Sequence, residues 1–343
     1  VETDGLTVSG VTVDSVGTAM HIEGNPSILT PTHITGNTVK NSDTGIRLFD
    51  IKSDVGSCTS GTIDVFVQSN TIQNIGNTGI GLHNSDGACV QNNTIEDSTN
   101  SIAVTNQSHD VQIVNNVITD STSAAIYLQG AERVYIKGNT ITGEGEHGGL
   151  IRDEQNSHNF QIYDNSFQGM TCNNSDNGRI VGNTISNYDY NGAAGIFFAY
   201  CDHLVVSDNM ITNIDIGIQT FSSGPAASVN GTFTSNTITN NDWYGIFIAG
   251  SDHVISNNIV SNNGVASQKP NPAGGIIVYG SSGSNIAITN NTVNNNDQYG
   301  IYLAYTGNTL SGNTVTGNSQ DDFGGAGAPI FPPTVTVPSN ITI

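Results

Sequence analysis

The densest group of ionisable side chains in the sequence is His147, Arg152, Asp153 and Glu154, with Tyr127 lying 25 residues before the arginine. A cation set among acids and bases suits chemistry on an acidic sugar. A polysaccharide lyase or a uronate C5-epimerase must neutralise the substrate carboxylate and place a base and an acid beside the sugar C5. Arg152 would neutralise, and Tyr127 or His147 would transfer the proton. A hydrolase would instead use Asp153 and Glu154 as a carboxylate pair. Adjacent residues on a strand point to opposite faces, which counts against that use. The competing reading is a local ion pair on a turn. A second recurring pair, Asp202-His203 and Asp252-His253, leads into a strand both times. Recurrence at equivalent turns argues for a structural role.

The elements that must position these groups are repeats. A four-residue apolar-alternating segment is followed by a small residue, Asn, and then Thr-Ile or Thr-Val, as in IleThrGlyAsnThrVal at 34–39 and LeuSerGlyAsnThrVal at 310–315. The Asn recurs at 37, 70, 93, 116, 139, 165, 183, 209, 236, 258, 291 and 313, and the residue two places on is always Val, Ile or Phe. A weaker copy at 9–13 lacks the Asn. Between successive Asn residues lies a second element, a small residue followed by Ile-x-Leu/Ile/Val, such as GlyIleArgLeu at 45–48 and GlyIleTyrLeu at 300–303. Every segment alternates with period two, and none has helical spacing. Each repeat therefore holds three short strands and three turns.

This pattern resembles the right-handed parallel β-helix of the pectate-lyase-like superfamily. The resemblance implies an all-β solenoid of about thirteen coils over residues 1–320, with a ladder of stacked Asn side chains inside and Ile and Val in columns. The ladder Asn is expected in a bent turn conformation that Asn tolerates. At ~4.8 Å per coil, the stack would run roughly 60 Å. Residues 321–333 read as a Gly/Pro linker. Residues 334–343, ThrValThrValProSerAsnIleThrIle, are similar to the first strand of a hyalin-repeat-like β-sandwich. The repeat starts in mid-coil, residue 1 is Val, and no signal peptide is present, so the chain is expected to be a piece of a longer multi-domain protein.

In the resembled superfamily, function lies on the GlyIle strands. Register places His21, Glu23, Arg47, Phe49, His83, Tyr127, Gln129 and Arg152 outward on the early coils, a polar face. The later coils present Phe197, Tyr200, Phe221, Phe247, Tyr279, Tyr302 and Tyr305, an aromatic face able to stack on sugar rings or to pack against a partner. The AspProHis motif of mannuronan epimerases and the AsnThrAsp, AspAsp, GlyHisGly and ArgIleLys motifs of polygalacturonases are absent. ThrXaaThr triplets at 140–142, 237–239 and 314–316 are interrupted by Val117, Met210 and Ile259, which breaks an ice-binding array.

Charge narrows the partners. Eight Lys and Arg face 29 Asp and Glu, a net charge of −21. Nucleic acid and anionic membrane surfaces need clustered cations, and a long polyanion would be repelled. No apolar run is long enough for membrane insertion. No cofactor is implied. Calcium is left open, because no carboxylate triad marks a metal site. The cysteines show no CxxC spacing. Cys58 and Cys89 fall on neighbouring coils, as do Cys172 and Cys201, so two disulfides are expected; Cys172 reads as inward-facing, which counts against the second. Sequons stand at Asn92, Asn106, Asn173, Asn230, Asn290 and Asn340. Together these features suggest an extracellular or cell-surface setting.

The reading favoured by the missing motifs is a rigid spacer, adhesin or assembly subunit whose partner is a polysaccharide, a cell-surface glycan or a neighbouring protein. The alternative is a lyase or epimerase acting around Arg152.

Overall fold

A computed structural model describes residues 5–24, 31–52, 58, 65–144, 148–188, 191–221, 228–266, 270–279 and 283–327, together with the backbone of Ile341–Thr342. The described residues form strands and turns, with no helix. The fold is a parallel β-solenoid, as the repeat requires. Counted as turns it has about 11, slightly fewer than the thirteen copies of the repeat. The first and last copies, around Leu6–Ser9 and Thr309–Ser311, have a parallel neighbour on one side only. The chain divides into two compact units, Val1–Gln168 and Gly169–Ile343.

In the first unit, period-two alternation turns one residue of each short strand inward, and parallel register stacks those residues. Ile34, Val67, Val90, Ile113 and Ile136 form one such column. Val39, Ile72, Ile95, Ile118 and Ile141 form another. Ile46, Ile80, Ile102, Ile126 and Ile151 form a third. All of these side chains are buried. Burial of each contributes about 1.5–3 kcal/mol relative to an exposed position. The second unit repeats the plan, with Ile180, Val206, Phe233, Ile255, Ile288 and Leu310 in one column.

The turns carry the Asn ladder. In the first unit each ladder Asn donates from its backbone N and its side-chain Nδ2 to Oδ1 of the next Asn, from Asn37 to Asn70, Asn93, Asn116, Asn139 and Asn165. Nδ2 also donates to a strand carbonyl of the preceding coil, as Asn139 does to Ile113 at 2.9 Å. Asn183 to Asn313 do the same in the second unit. Buried amides are thereby satisfied at each step.

One local expectation is corrected. The left-handed residue is not the ladder Asn but the one before it: Gly36, Ser69, Asn92, Asn115, Gly138 and Asp164, all with φ between 54° and 67°. The turn needs its reversal there, and the ladder Asn keeps an ordinary conformation so that its amide points along the stack.

A second ladder runs through Asn241, Asn263, Asn296 and Asn318 in the second unit. It satisfies the corner that leads into the GlyIle strands. The glycine of those strands is required by closeness. A Cβ at Gly245 would lie 2.4 Å from Cγ1 of Val260.

Both disulfides form, Cys58–Cys89 and Cys172–Cys201. Cys172 is inward-facing and buried, as expected, yet its neighbour Cys201 is also buried. The pair therefore bridges inside the solenoid. Asp321–Gly324, at the start of the expected linker, pairs in parallel with the strand beginning at Tyr299. Residues 328–340 and Ile343, which include most of the expected following module and Asn340, lie outside the described residues.

Candidate functional site

In the first unit the outward positions of the GlyIle strands form two columns. His21, Arg47, Gly81, Ala103, Tyr127 and Arg152 stand in one; Glu23, Phe49, His83, Thr105, Gln129 and Glu154 stand in the other. The outward register expected for these strands is the register found.

Arg152 and Glu154 share the outer face because they are two residues apart on one strand. Their guanidinium and carboxylate are paired. Arg152 Nη1 also reaches the Ser123 hydroxyl at 3.4 Å. The Tyr127 hydroxyl donates to the free oxygen of Glu154 at 3.4 Å. Burial, and then the negative charge of Glu154, raise the Tyr127 phenol above its usual range. That shift works against Tyr127 as a base. Asp153 is buried and faces inward, so Asp153 and Glu154 do not form a carboxylate pair. His147 lies outside the described residues. Lys137 points elsewhere and pairs with Asp164. The structure thus brings Tyr127, Arg152 and Glu154 together as a hydrogen-bonded ion pair.

Two outward residues here have a different setting. The Arg47 guanidinium lies 5.4 Å from the centroid of the Phe49 ring, and its buried Nε has no hydrogen-bond partner. Beside it, a cavity of about 390 Å³ is lined by Phe49, Asp50, Asn84, Asn106 and Gln107. Asn84 Nδ2 donates to Asp50 at 2.5 Å, and Asn106 Nδ2 meets His83 Nδ1 at 2.7 Å. Burial, and secondarily the Arg47 charge, lower the His83 pKa. Sequence reasoning placed Arg47, Phe49 and His83 outward but did not find the cavity.

In the second unit the aromatic face is partly absorbed into the protein. Ala194, Ile216, Tyr244, Ala273 and Ile277 form a buried cluster, with Phe197, Trp243, Phe247, Tyr299 and Tyr302 packed against it. Ile277 stands between Phe247 and Tyr302 in the outward column and is fully covered. Burial pushes the Tyr244 pKa up to about 12. Phe221, Tyr279 and Tyr305 stay open, at 42%, 47% and 38% exposure. Phe221 lies 6.2 Å from Phe197, and Tyr279 lies 6.4 Å from Tyr302. Tyr200 is half-buried, at a left-handed turn. The sequon residues Asn92, Asn106, Asn173, Asn230 and Asn290 are exposed.

His253 behaves as the turn reading expected. It is buried, lies 5.7 Å from the Phe233 ring, and accepts a hydrogen bond at Nδ1 from the Gly231 amide at 3.0 Å. Among the described residues no three His, Cys, Asp or Glu side chains converge to hold a metal ion. His109 is committed to Asp86, which also pairs with Lys52.

A family model described as "Periplasmic copper-binding protein (NosD)" matches residues 2–171 and 168–321. No curated protein matches the sequence. Among solved structures, PfbA, a surface adhesin of Streptococcus pneumoniae, is similar at 12% identity and a TM-score of 0.57, over 92% of this chain and 81% of that one. The Dettilon tailspike protein is 15% identical with a TM-score of 0.46, over 93% of this chain and 62% of its own. A mutant of the periplasmic alginate epimerase AlgG is 12% identical with a TM-score of 0.47, over 91% and 78%. At such identities the likeness is one of fold.

Proposed function

This chain belongs to the family described as periplasmic copper-binding protein NosD, and we propose that it is an exported, non-catalytic β-solenoid module that binds glycan on the outer face of its second unit. The observation that carries this reading is the exposure of Phe221, Tyr279 and Tyr305 beside half-buried Phe197 and Tyr302. Rings held by packing on one side and open on the other offer flat apolar surfaces at low ordering cost, which suits the apolar face of a sugar. The first unit supports the absence of catalysis, because Arg152 is already neutralised by Glu154. Two disulfides fit an oxidising compartment such as the periplasm.

The described donors do not fit the family's copper. Copper(I) prefers thiolate and thioether ligands, and copper(II) prefers several imidazoles in a plane. Here every cysteine is in a disulfide, Met20 and Met170 are buried in the core, Met210 is a single exposed thioether, and among the described residues no three His, Cys, Asp or Glu side chains converge.

A glycan array followed by calorimetry tests the proposal. Neutral glycans are expected to bind, and Tyr279→Ala combined with Phe221→Ala is expected to weaken the best ligand at least about tenfold, given ~1 kcal/mol or more per stacked ring. Equal binding by the double variant, or release of product from any bound glycan, would overturn it.

A further inference from the structure

Among the described residues of the first unit, one cation has no counter-charge. Lys40, Lys52, Arg133, Lys137 and Arg152 each pair with a carboxylate. Arg47 has no ion pair among the described residues, and its Nε is buried with no hydrogen-bond partner. A half-buried guanidinium is costly to leave unpaired, because the nearby protein partly replaces the water that would otherwise solvate it. Its two Nη groups are suited to a planar bidentate acceptor.

The neighbouring wall has complementary chemistry. Phe49, whose ring lies 5.4 Å from the guanidinium carbon, also lines the cavity of about 390 Å³ with Asp50, Asn84, Asn106 and Gln107. The cavity lining thus offers an aromatic ring, a carboxylate and several amides, and the Arg47 guanidinium lies outside that lining against the same ring. The Asp50 carboxylate excludes a second anionic group on the ligand there but accepts hydrogen bonds from hydroxyls. The amides can both donate and accept. Burial, and secondarily the Arg47 charge, lower the His83 pKa, which works against a second positive charge here. Glu23 stands one coil before Phe49 in the same outward column and makes no ion pair with Arg47.

We propose that Arg47, Phe49, Asp50, Asn84 and Asn106 form a binding site for a single sugar acid, with its carboxylate on Arg47 and its hydroxyls on Asp50 and the amides. The site is separate from the aromatic face of the second unit. It is sized for one sugar residue, and the net charge of −21 disfavours a polyanionic chain over a lone sugar acid or the acidic terminus of a neutral glycan.

The test is calorimetry or ligand-observed NMR on the full chain with D-glucuronate, D-glucose and acetate as probes. Glucuronate should bind saturably. Glucose lacks the group for Arg47, and acetate lacks the hydroxyls, so each should bind at least about tenfold more weakly, the loss of one charge-assisted contact. Arg47→Gln should lose glucuronate binding by the same factor, and Arg47→Lys should retain part of it. Thermal unfolding of the Arg47 variants should stay close to the parent's, because Arg47 has no ion pair among the described residues and gives up only its contact with the Phe49 ring. Absence of saturable glucuronate binding, equal binding of acetate, or undiminished binding by a folded Arg47→Gln or Arg47→Lys protein would overturn the proposal.

Discussion

Arg152 and Glu154 lie two residues apart on one short strand, and their outward side chains are paired, with Tyr127 of the preceding coil hydrogen-bonded to the same carboxylate. The period of a strand puts residues i and i+2 on one face, so this pairing is built into the sequence ArgAspGlu. It supplies the arginine with a counter-charge from its own strand, leaving a substrate carboxylate to compete with Glu154.

Arg152→Ala should therefore cost little. Partly exposed pairs contribute around 1 kcal/mol or less, and thermal unfolding should shift by no more than that implies. Assays on uronate polymers should show no turnover in either the parent or the variant. Lyase absorbance near 235 nm, or C5 proton exchange, that disappears in the variant would return Arg152 to a catalytic role.

Asn139→Leu should be far more damaging. Oδ1 of Asn139 accepts from both the backbone and the side chain of Asn116, and its own Nδ2 donates to Ile113 and Asn165. Leucine has similar volume but strands these groups in the interior, at roughly 1–3 kcal/mol for each buried group left unpaired. Chemical denaturation of the variant should show a loss of at least that size. An unchanged midpoint would mean that water replaces the amide in the ladder.

Much of the architecture could be read from residue types because the ladder leaves little freedom. A buried amide must find a partner every coil, so Asn recurs wherever the chain returns to that turn. The second ladder was equally readable. Asn241, Asn263, Asn296 and Asn318 each follow a first-ladder Asn by five residues. It escapes notice because earlier repeats place Ser42, Ile75 and Ser98 there, which fill the same corner by other means. The outward register of Arg47, Phe49 and Tyr127 was also readable from alternation. The cavity beside Phe49 was not, since its walls come from turns of successive coils whose residues are remote in sequence. Nor was the covering of Ile277. Whether an outward aromatic stays open depends on how its neighbours pack, and alternation records only direction.

The Cys58–Cys89 bridge spans 31 residues of sequence. Closing a loop of that length in the unfolded chain is worth about 3–4 kcal/mol in the chain-entropy account. Cys58→Ser together with Cys89→Ser should lower stability by an amount of that order, measured by denaturation under non-reducing conditions. Cys172 and Cys201 are both buried, as is Cys89, whereas Cys58 is half-buried, so mild reductant should open Cys58–Cys89 first. Mass spectrometry after alkylation should then find Cys58 and Cys89 labelled before Cys172 and Cys201. The reverse order would show that the second unit opens more readily than its packing implies.

His253 gives the fold a defined acid sensitivity. Burial lowers its pKa from 6.5 to about 4, and hydrogen bonding to the Ser228 backbone and the charge of the adjacent Asp252 only partly oppose this. In the unfolded chain the ring titrates near its ordinary value, so between about pH 6.5 and pH 4 the unfolded state binds a proton that the folded state refuses. Stability from this group is therefore complete above about pH 6.5, falls as the pH drops through that window, and levels off below about pH 4. The loss is on the order of 3 kcal/mol, at about 1.4 kcal/mol per pH unit. Carboxylates contribute their own acid loss, so the parent alone cannot isolate the histidine. His253→Phe retains a ring against Phe233 while removing the titration, at the cost of the Gly231 hydrogen bond. That lost bond should lower stability by a constant amount at all pH values, whereas the difference between parent and variant should narrow from pH 7 to pH 4. Denaturation curves collected across that range would show the narrowing. Two parallel pH profiles would mean that His253 is protonated in the folded protein as readily as in the unfolded chain, and that its burial does not control its charge.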